Sequence, residues 1–335
     1  MKILITGSSG FIGSSLVRAL NDQSIEIIGI DNHCDYYDVS LKEARLKSNQ
    51  KNKSFTHYQL DISDFDAMKE IFDQHQPNIV VHLAAQVGVR YSLKNPHAYV
   101  KSNLVGFNNI IELSNNHRVK NFIYASSSSV YGQNATVPYS TSHNVDHPIS
   151  LYAATKKSNE LVAHTYSHLY SIPTTGLRFF TVYGPWGRPD MAPFLFLKSI
   201  LEKKIININN NGNHKRAFTY IDDIIEAIKR LIEIPAQANT EWDPNSPLPN
   251  SSSSPWVIYN IGGSDPIDLM DFITMLEQKT KITANKRFLP IQPGDVLITD
   301  ADCSDLEKTI NFSPKTSLDR GVTNFIEWYR DYYKI

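Results

Sequence analysis

Thr6-Gly7-Ser8-Ser9-Gly10-Phe11-Ile12-Gly13 is the stretch of sequence that decides the fold, because it directly follows the apolar run Lys2–Thr6 and opens a helical pattern. Glycines placed between a strand and a helix are typical of a dinucleotide-binding turn. The first glycine permits the tight turn, the second lets backbone amides approach a pyrophosphate, and the third lets the helix pack closely on the strand. The predicted cofactor-binding residues of this stretch are Gly7, Gly10, Phe11, Ile12 and Gly13.

Outward from this motif, the first half of the chain alternates short apolar runs with longer helical patterns. This alternation predicts an α/β fold with a doubly wound parallel sheet of the Rossmann type, and a dinucleotide-binding domain over residues 1–180. The predicted strands are Lys2–Thr6, Ile25–Ile30, Phe55–Gln59, Asn78–Leu83, Asn121–Ala125 and Thr174–Phe179. The predicted helices are Phe11–Asn21, Asp64–His75, Pro96–Asn115 and Leu151–Tyr170.

The second half has shorter elements separated by loops that contain Pro, Gly and Asn. We expect residues 181–335 to form a smaller C-terminal α/β lobe that binds substrate, with some chain crossing back to the first domain. Its predicted helices are Ala192–Lys203, Asp222–Glu233 and Pro266–Lys279. Residues 235–255 are rich in Pro, Asn and Ser and have too few apolar residues to pack as an element, so this segment is predicted to be an exposed insertion.

Composition and charge disfavour several classes of protein. The chain has 335 residues and a formal net charge of −1, which gives no long-range attraction to nucleic acid. It has no signal-like N-terminus and no run of about 18 apolar residues, so neither secretion nor a membrane span is expected. Cys34 and Cys303 lie far apart, and no His or Cys pair has metal-ligand spacing. We therefore expect no disulfide and no metal site, and a cytoplasmic location.

Acidic residues at two predicted strand ends favour NAD as the cofactor. Asp31 and Asn32 end the second strand, where a carboxylate can accept hydrogen bonds from the ribose hydroxyls and would repel the 2′-phosphate of NADP. Asp61 and Ile62 follow the third strand and could reach the adenine. An equal alternative is that Asp61 or Ser63 serves as a helix N-cap.

Two motifs in the middle of the chain predict a reaction centre. Ser126-Ser127-Ser128-Ser129 lies near the end of the fifth predicted strand, and Tyr152 and Lys156 lie four positions apart in a helical pattern. Residues at that spacing share a helix face, so the ammonium can stabilise a phenolate and lower the tyrosine pKa towards neutrality. Lys156 can also bind the cofactor by holding the nicotinamide ribose. A serine hydroxyl can bind the same substrate oxygen, which completes a short proton path during hydride transfer.

Taken together, these motifs resemble the extended short-chain dehydrogenase/reductase family, in its nucleotide-sugar epimerase branch, over nearly the whole chain. The resemblance implies that Ser127 is the catalytic serine, Tyr152 the general base and Lys156 its assistant, with Asn103 as the structural asparagine of the cofactor site. Related dehydratases and decarboxylases carry carboxylates where this chain has Ser128 and Ser129. That difference favours simple epimerisation, although some of these serines could bind sugar while others only cap the turn.

The resemblance extends to the substrate lobe and is closest to the UDP-glucuronate 4-epimerases. It implies that Arg216 binds the UDP pyrophosphate, that Asp295 binds the uridine ribose and that Thr181 donates to the sugar carboxylate. Gln292 stands where hexose epimerases carry an arginine, so Arg90 or Arg188 is expected to supply positive charge instead, with Arg188 near the uridine. The substrate-binding set implied in this way is Arg90, Ser127, Ser128, Ser129, Tyr152, Thr181, Arg188, Arg216 and Asp295.

The function implied is the NAD-dependent conversion of UDP-glucuronate to UDP-galacturonate through a 4-keto sugar, in the service of polysaccharide synthesis. Three alternatives stay open at this stage: a UDP-hexose 4-epimerase, a UDP-glucuronate decarboxylase, and an NAD-binding redox sensor without turnover. The resemblance also implies a homodimer whose subunits pair through the helices over residues 96–115 and 151–170.

Overall fold

The computed structural model describes residues 1–22, 24–263, 265–292 and 297–335. The strands, in chain order, are β1 (Lys2–Thr6), β2 (Glu26–Ile30), β3 (Phe55–Tyr58), β4 (Ile79–His82), β5 (Asn121–Ser127), β6 (Thr174–Phe179), β7 (Thr181–Tyr183), β8 (Ile205–Ile208), β9 (Lys215–Arg216), β10 (Phe218–Tyr220), β11 (Trp256–Ile261), β12 (Ile267–Asp268), β13 (Asn285–Phe288) and β14 (Ile298–Thr299).

The helices complete the chain. They are α1 (Phe11–Ala19), α2 (Val39–Asn49), α3 (Phe65–His75), α4 (Tyr91–Lys94), α5 (Pro96–Tyr99), α6 (Phe107–Asn116), α7 (Leu151–Tyr170), α8 (Ala192–Leu201), α9 (Ile221–Ile232), α10 (Leu269–Thr280), α11 (Ser304–Ile310) and α12 (Leu318–Tyr333), with a π-helical segment over Val100–Gly106 and 3₁₀ turns at Ser128–Tyr131 and Asn209–Gly212.

A seven-stranded sheet in the order β11-β6-β5-β4-β1-β2-β3 forms the centre of the molecule. Every pairing in it is parallel. Strand order reverses beside β1, which places a ligand crevice at the carboxyl ends of β1 and its neighbours. The predicted doubly wound α/β fold is therefore confirmed.

Both faces of the sheet are buried, because side chains alternate along each strand. Ile3 and Ile5 of β1 pack into one core cluster with α1, α8, α9, α10 and α12, whereas Leu4 packs into a second cluster with α3 and α6. Strands such as β1 therefore pack apolar side chains against helices on both faces of the sheet, which is why their sequences are unbroken apolar runs.

Helices α11 and α12 of the second half were not predicted, and two helical regions of the first half also differ from the prediction. α2 was not predicted, because its buried face carries Leu41, Lys42, Arg45 and Asn49, and a mostly polar face has no apolar period to detect. The predicted helix over 96–115 is interrupted by a π-helical segment. Within that segment, the Asn103 carbonyl accepts a hydrogen bond of 2.6 Å from the Asn159 side chain.

The chain returns from the C-terminal lobe to the central sheet through β11, which pairs with β6. Between α9 and β11 the chain forms no helix or strand, residues 243–248 are exposed, and Ser252 and Ser254 are buried. In the described ranges, none of the helices has the length and apolar character needed to cross a bilayer.

A buried ion pair joins α7 to strand β6 of the central sheet. Arg178 donates from Nε and Nη2 to the two carboxylate oxygens of Glu160, at 2.9 Å each, and neither side chain is more than 1 % exposed. Glu160 also accepts from Ser126 Oγ at 2.6 Å. Burial alone would raise the pKa of Glu160, but Arg178 outweighs it, so the carboxyl pKa is lowered and the group stays ionised.

Arg178→Met leaves the Glu160 carboxylate buried without its cation, and we expect it to lower the free energy of unfolding by about 3–5 kcal/mol. Glu160→Gln combined with Arg178→Met removes both charges and should recover part of that loss. Urea denaturation of the wild type, the single variants and the double variant measures both effects. A single variant as stable as the wild type would show that the pair does not stabilise this layer.

Candidate active site

The turn between β1 and α1 forms a cradle that only glycine can build. Gly7 has a φ of +73°, and a Cβ placed on Gly13 would lie 2.1 Å from the Gly7 carbonyl oxygen. Gly10 is the N-cap of α1 and no side-chain hydrogen bond caps the helix. The first backbone N–H groups of α1 are thus free to bind an anion, which fits the pyrophosphate of a dinucleotide.

Asp31 lies beside this cradle at the end of β2. One carboxylate oxygen accepts from the Ser9 N–H at 3.1 Å and the other accepts from the His33 N–H at 2.9 Å. Because a carboxylate oxygen has more than one acceptor site, both can still bind ribose hydroxyls.

The alternative N-cap role of Asp61 or Ser63 is wrong. The N-cap of α3 is Asp64, which accepts from Ala67 N–H. Asp61 instead accepts from Ser63 and forms an ion pair of 3.1 Å with Lys101, and both Asp61 and Ile62 line the cavity. The contact of these two residues with the adenine stays a prediction.

The reaction centre lies where α7 packs against the end of β5. Lys156 Nζ donates to the Ala125 carbonyl at 2.7 Å, and the Ser127 side chain lies close enough to the Tyr152 hydroxyl to lower its pKa. The ring of Tyr99 packs edge-on against Tyr152, with centroids 6.1 Å apart, which fixes the phenol in place. The structure therefore brings together the three residues expected to be catalytic.

The electrostatics of this pair differ from the expectation. Burial raises the pKa of Tyr152, while Ser127 and then Arg188 lower it in part, and Lys156 is not among the groups that act on it. Burial also lowers the pKa of Lys156 from 10.5 to about 7. In the protein chain alone, desolvation is larger than any attraction between ammonium and phenolate, so the expected acidic tyrosine is not produced by Lys156.

The serines after β5 have separable roles in the structure. Ser126 lines the cavity, and its hydroxyl donates to Glu160. Ser127 Oγ accepts from the Ser129 N–H at 3.2 Å and so caps the 3₁₀ turn, which leaves its own proton free to be donated. Ser128 and Ser129 line the same cavity.

A single cavity of about 980 Å³ runs from the glycine turn to the C-terminal lobe. The predicted site residues that line it are Gly7, Gly10, Phe11, Ile12, Gly13, Asp31, Asn32, Asp61, Ile62, Arg90, Ser127, Ser128, Ser129, Tyr152, Lys156, Thr181, Arg188 and Arg216. Asn103 does not line the cavity. Its buried side chain forms hydrogen bonds with the backbone of Gln86 and with the Thr155 hydroxyl instead. Asp295 lies outside the described residues.

Arg188 belongs to a charged group that the sequence prediction missed. It binds Asp190 through Nε at 3.1 Å and Nη2 at 2.6 Å, and Tyr36 donates to the same carboxylate at 3.1 Å. Burial would raise the pKa of Asp190, but Arg188 outweighs it and lowers the pKa. Asp190 stands two residues from Arg188, so proximity in sequence was the available signal, whereas Tyr36 comes from a distant loop.

The remaining predicted arginines also reach the cavity. Arg216 of β9 donates through Nη1 to the carbonyls of Lys215 and Leu297, at 2.8 and 2.9 Å. Arg90 is exposed at the start of α4. Across the part of the chain that the structure describes, no cluster of His, Cys, Asp and Glu has the makings of a metal site, and both cysteines are free thiols.

Comparison with known proteins gives one family and a consistent set of relatives. The model of the NAD dependent epimerase/dehydratase family matches residues 3–245. UDP-glucuronate 4-epimerase 2 from Arabidopsis thaliana is 40% identical over 339 residues, covering 100% of this chain and 77% of that protein.

Two solved structures are similar along nearly the whole chain. The UDP-glucuronic acid 4-epimerase of Bacillus cereus, in complex with UDP-glucuronic acid and NAD, has a TM-score of 0.86 and 33% identity, covering 99% of this chain and 100% of that one. The UDP-glucose 4-epimerase of Thermotoga maritima with UDP-glucose has a TM-score of 0.85 and 28% identity, with the same coverage.

Lys156→Met should change how stability depends on pH. Between the lowered pKa of about 7 and the ordinary value of 10.5, the unfolded chain holds a proton on this amine that the folded chain does not. Stability therefore rises with pH in this window for the wild type, and we expect the variant to lack that rise. Urea unfolding of cofactor-free protein across these pH values measures it, with Lys157→Met as the matched control; parallel curves for wild type and Lys156→Met would contradict the assignment.

Proposed function

The chain belongs to the NAD dependent epimerase/dehydratase family, and from this premise we propose that it inverts C4 of UDP-glucuronate to give UDP-galacturonate. It is an NAD-dependent nucleotide-sugar epimerase. We propose the identity of the sugar and the roles of the residues that act on it. The observation that carries the proposal is the single cavity in which Ser127, Tyr152 and Lys156 share space with hydroxyl groups rather than further carboxylates after β5.

The chemistry needs a proton acceptor at the C4 hydroxyl. When bound, NAD supplies a reversible acceptor for the C4 hydride. In its phenolate form Tyr152 takes the hydroxyl proton, and Ser127 donates a hydrogen bond to the same oxygen. Lys156, with a pKa near neutrality, can hold or release a proton beside them. The resulting 4-keto sugar must turn in the cavity before C4 is reduced from the opposite face.

The hydroxyl lining favours epimerisation over the reactions of sister enzymes. A dehydratase must remove a proton from C5 and protonate the departing hydroxyl, which unperturbed serines such as Ser128 and Ser129 do poorly. The 4-keto sugar of a hexuronate is a β-keto acid that loses carbon dioxide readily. Thr181 and the serine turn would hold its carboxylate close to the plane of the ketone, where the breaking bond overlaps poorly with the carbonyl.

The glucuronate assignment also draws on the relatives. The A. thaliana and B. cereus proteins named above are UDP-glucuronate 4-epimerases, whereas the T. maritima protein acts on UDP-glucose at lower identity. For the nucleotide end, we propose Arg216 and Asp295 at the pyrophosphate and ribose, with Arg90 and Arg188 supplying positive charge. The homodimer, the cytoplasmic location and the role in polysaccharide synthesis stay predictions.

Tyr152→Phe removes the proton acceptor, and we expect kcat to fall by about 10²–10⁴-fold with UDP-glucuronate. Mass spectrometry and NMR of the products follow the conversion and distinguish UDP-galacturonate, a UDP-pentose with carbon dioxide, and an epimerised hexose. Tyr170→Phe, on the same helix but exposed, is the matched control. Full activity of Tyr152→Phe would overturn the mechanism, and turnover of UDP-glucose alone would replace glucuronate with a hexose.

Thr181→Val keeps the side-chain volume but removes the hydroxyl proposed to hold the carboxylate. We expect a larger fraction of turnovers to end in UDP-pentose and carbon dioxide, because the freed carboxylate can rotate into overlap with the ketone. Thr181→Ser restores the hydroxyl and should restore the wild-type product ratio. The ratio is read by mass spectrometry, and an unchanged value in the valine variant would reject this role.

A further inference from the structure

Arg45 of α2 is a fully buried cation, 0 % exposed, and no carboxylate forms an ion pair with it among residues 1–22, 24–263, 265–292 and 297–335. Burying a charge is costly unless hydrogen bonds and an opposite charge compensate for it. Here hydrogen bonds and a cation–π contact with the Tyr37 ring, 5.6 Å from its centroid, take the place of a carboxylate, and Nε has no hydrogen-bond partner within those ranges. Such an arrangement needs an explanation.

The hydrogen bonds of Arg45 join two distant parts of the chain. Nη1 donates to the Ser9 carbonyl at 3.2 Å and to the Tyr37 hydroxyl at 2.8 Å. Nη2 donates to the carbonyls of Trp186 and Gly187, at 2.6 and 3.1 Å. The planar guanidinium fork serves both sides at once, which a lysine ammonium at the end of a flexible stem cannot do.

One side of this bridge is the glycine turn. Ser9 immediately precedes Gly10, the N-cap of α1, and its N–H binds the Asp31 carboxylate. By holding the Ser9 carbonyl, Arg45 fixes the peptide plane beside the proposed pyrophosphate cradle. Arg45 is itself buried, so it acts on the expected place of the dinucleotide phosphates through the Ser9 peptide.

The other side is a strained turn of the substrate lobe. Trp186 has a φ of +64°, which a bulky residue seldom adopts, and its carbonyl points at Arg45. Two residues later, Arg188 is held by Asp190 and is close enough to Tyr152 to lower its pKa. Arg45 thus binds the carbonyls of the two residues that directly precede Arg188 in this turn.

We propose that Arg45 is a positioning residue that couples the cofactor turn to the Arg188 turn, so that binding of the dinucleotide and binding of the nucleotide sugar strengthen each other. The inference rests on the proposed place of both ligands in the cavity. The rigid fork binds a carbonyl of each turn, so it transmits the ordering of one turn to the other. Coupling of this kind is reciprocal by thermodynamic necessity.

Thermal unfolding of the wild type is measured with NAD alone, with UDP alone and with both. We expect the shift in Tm with both ligands to exceed the sum of the separate shifts. In Arg45→Met the shifts should be additive, and KM for UDP-glucuronate should rise about ten-fold while kcat changes much less. Arg45→Lys keeps the charge without the fork and should retain only part of the coupling.

Arg18→Met is the matched control, because Arg18 lies over the Trp186 ring at 5.7 Å and is exposed, yet donates no hydrogen bond to that turn. It should behave like the wild type. Additive shifts in the wild type would overturn the proposal, as would unchanged coupling in a folded Arg45→Met or Arg45→Lys protein. The unfolding experiment needs no turnover, so its result stands apart from the identity of the sugar.

Discussion

The contact between α7 and the end of β5 is the constraint on which the rest of the site depends. Tyr152, Lys156 and Glu160 follow one another at four-residue spacing and so share one helix face. Each meets a residue of the consecutive stretch 125–127, at Ser127, Ala125 and Ser126 in that order. The register of one helix against one strand therefore fixes the geometry of proton transfer.

Burial and ion pairing together decide the charge states in this layer. Lys156 has no carboxylate near enough to offset desolvation, and its pKa falls. Glu160 has Arg178 within hydrogen-bonding distance, and its pKa falls although burial acts the other way. The same helix thus carries a stable buried anion one turn from an amine that exchanges its proton easily, because Arg178 lies beside only one of them.

Both halves of the chain line the cavity, and its chemistry divides between them. The first half supplies the glycine turn, Asp31 and the proton-transfer residues, which lie at or against the carboxyl ends of parallel strands. The second half supplies Thr181, Arg188 and Arg216, on short strands and turns. Sister enzymes with similar folds act on different sugars, which agrees with a constant proton-transfer core and a variable sugar pocket.

The sequence by itself determined the doubly wound sheet, the glycine turn and the Tyr152–Lys156 pair, because each depends on local period and spacing that tertiary packing preserves. The same four-residue spacing continues to Glu160, one helical turn beyond Lys156, but only the structure shows that Glu160 pairs with the buried Arg178. Tertiary structure alone decided that desolvation controls the pKa of Tyr152. It also decided that Arg45, on a helix without an apolar period, reaches both lobes, since burial and long-range contact leave no trace in local pattern.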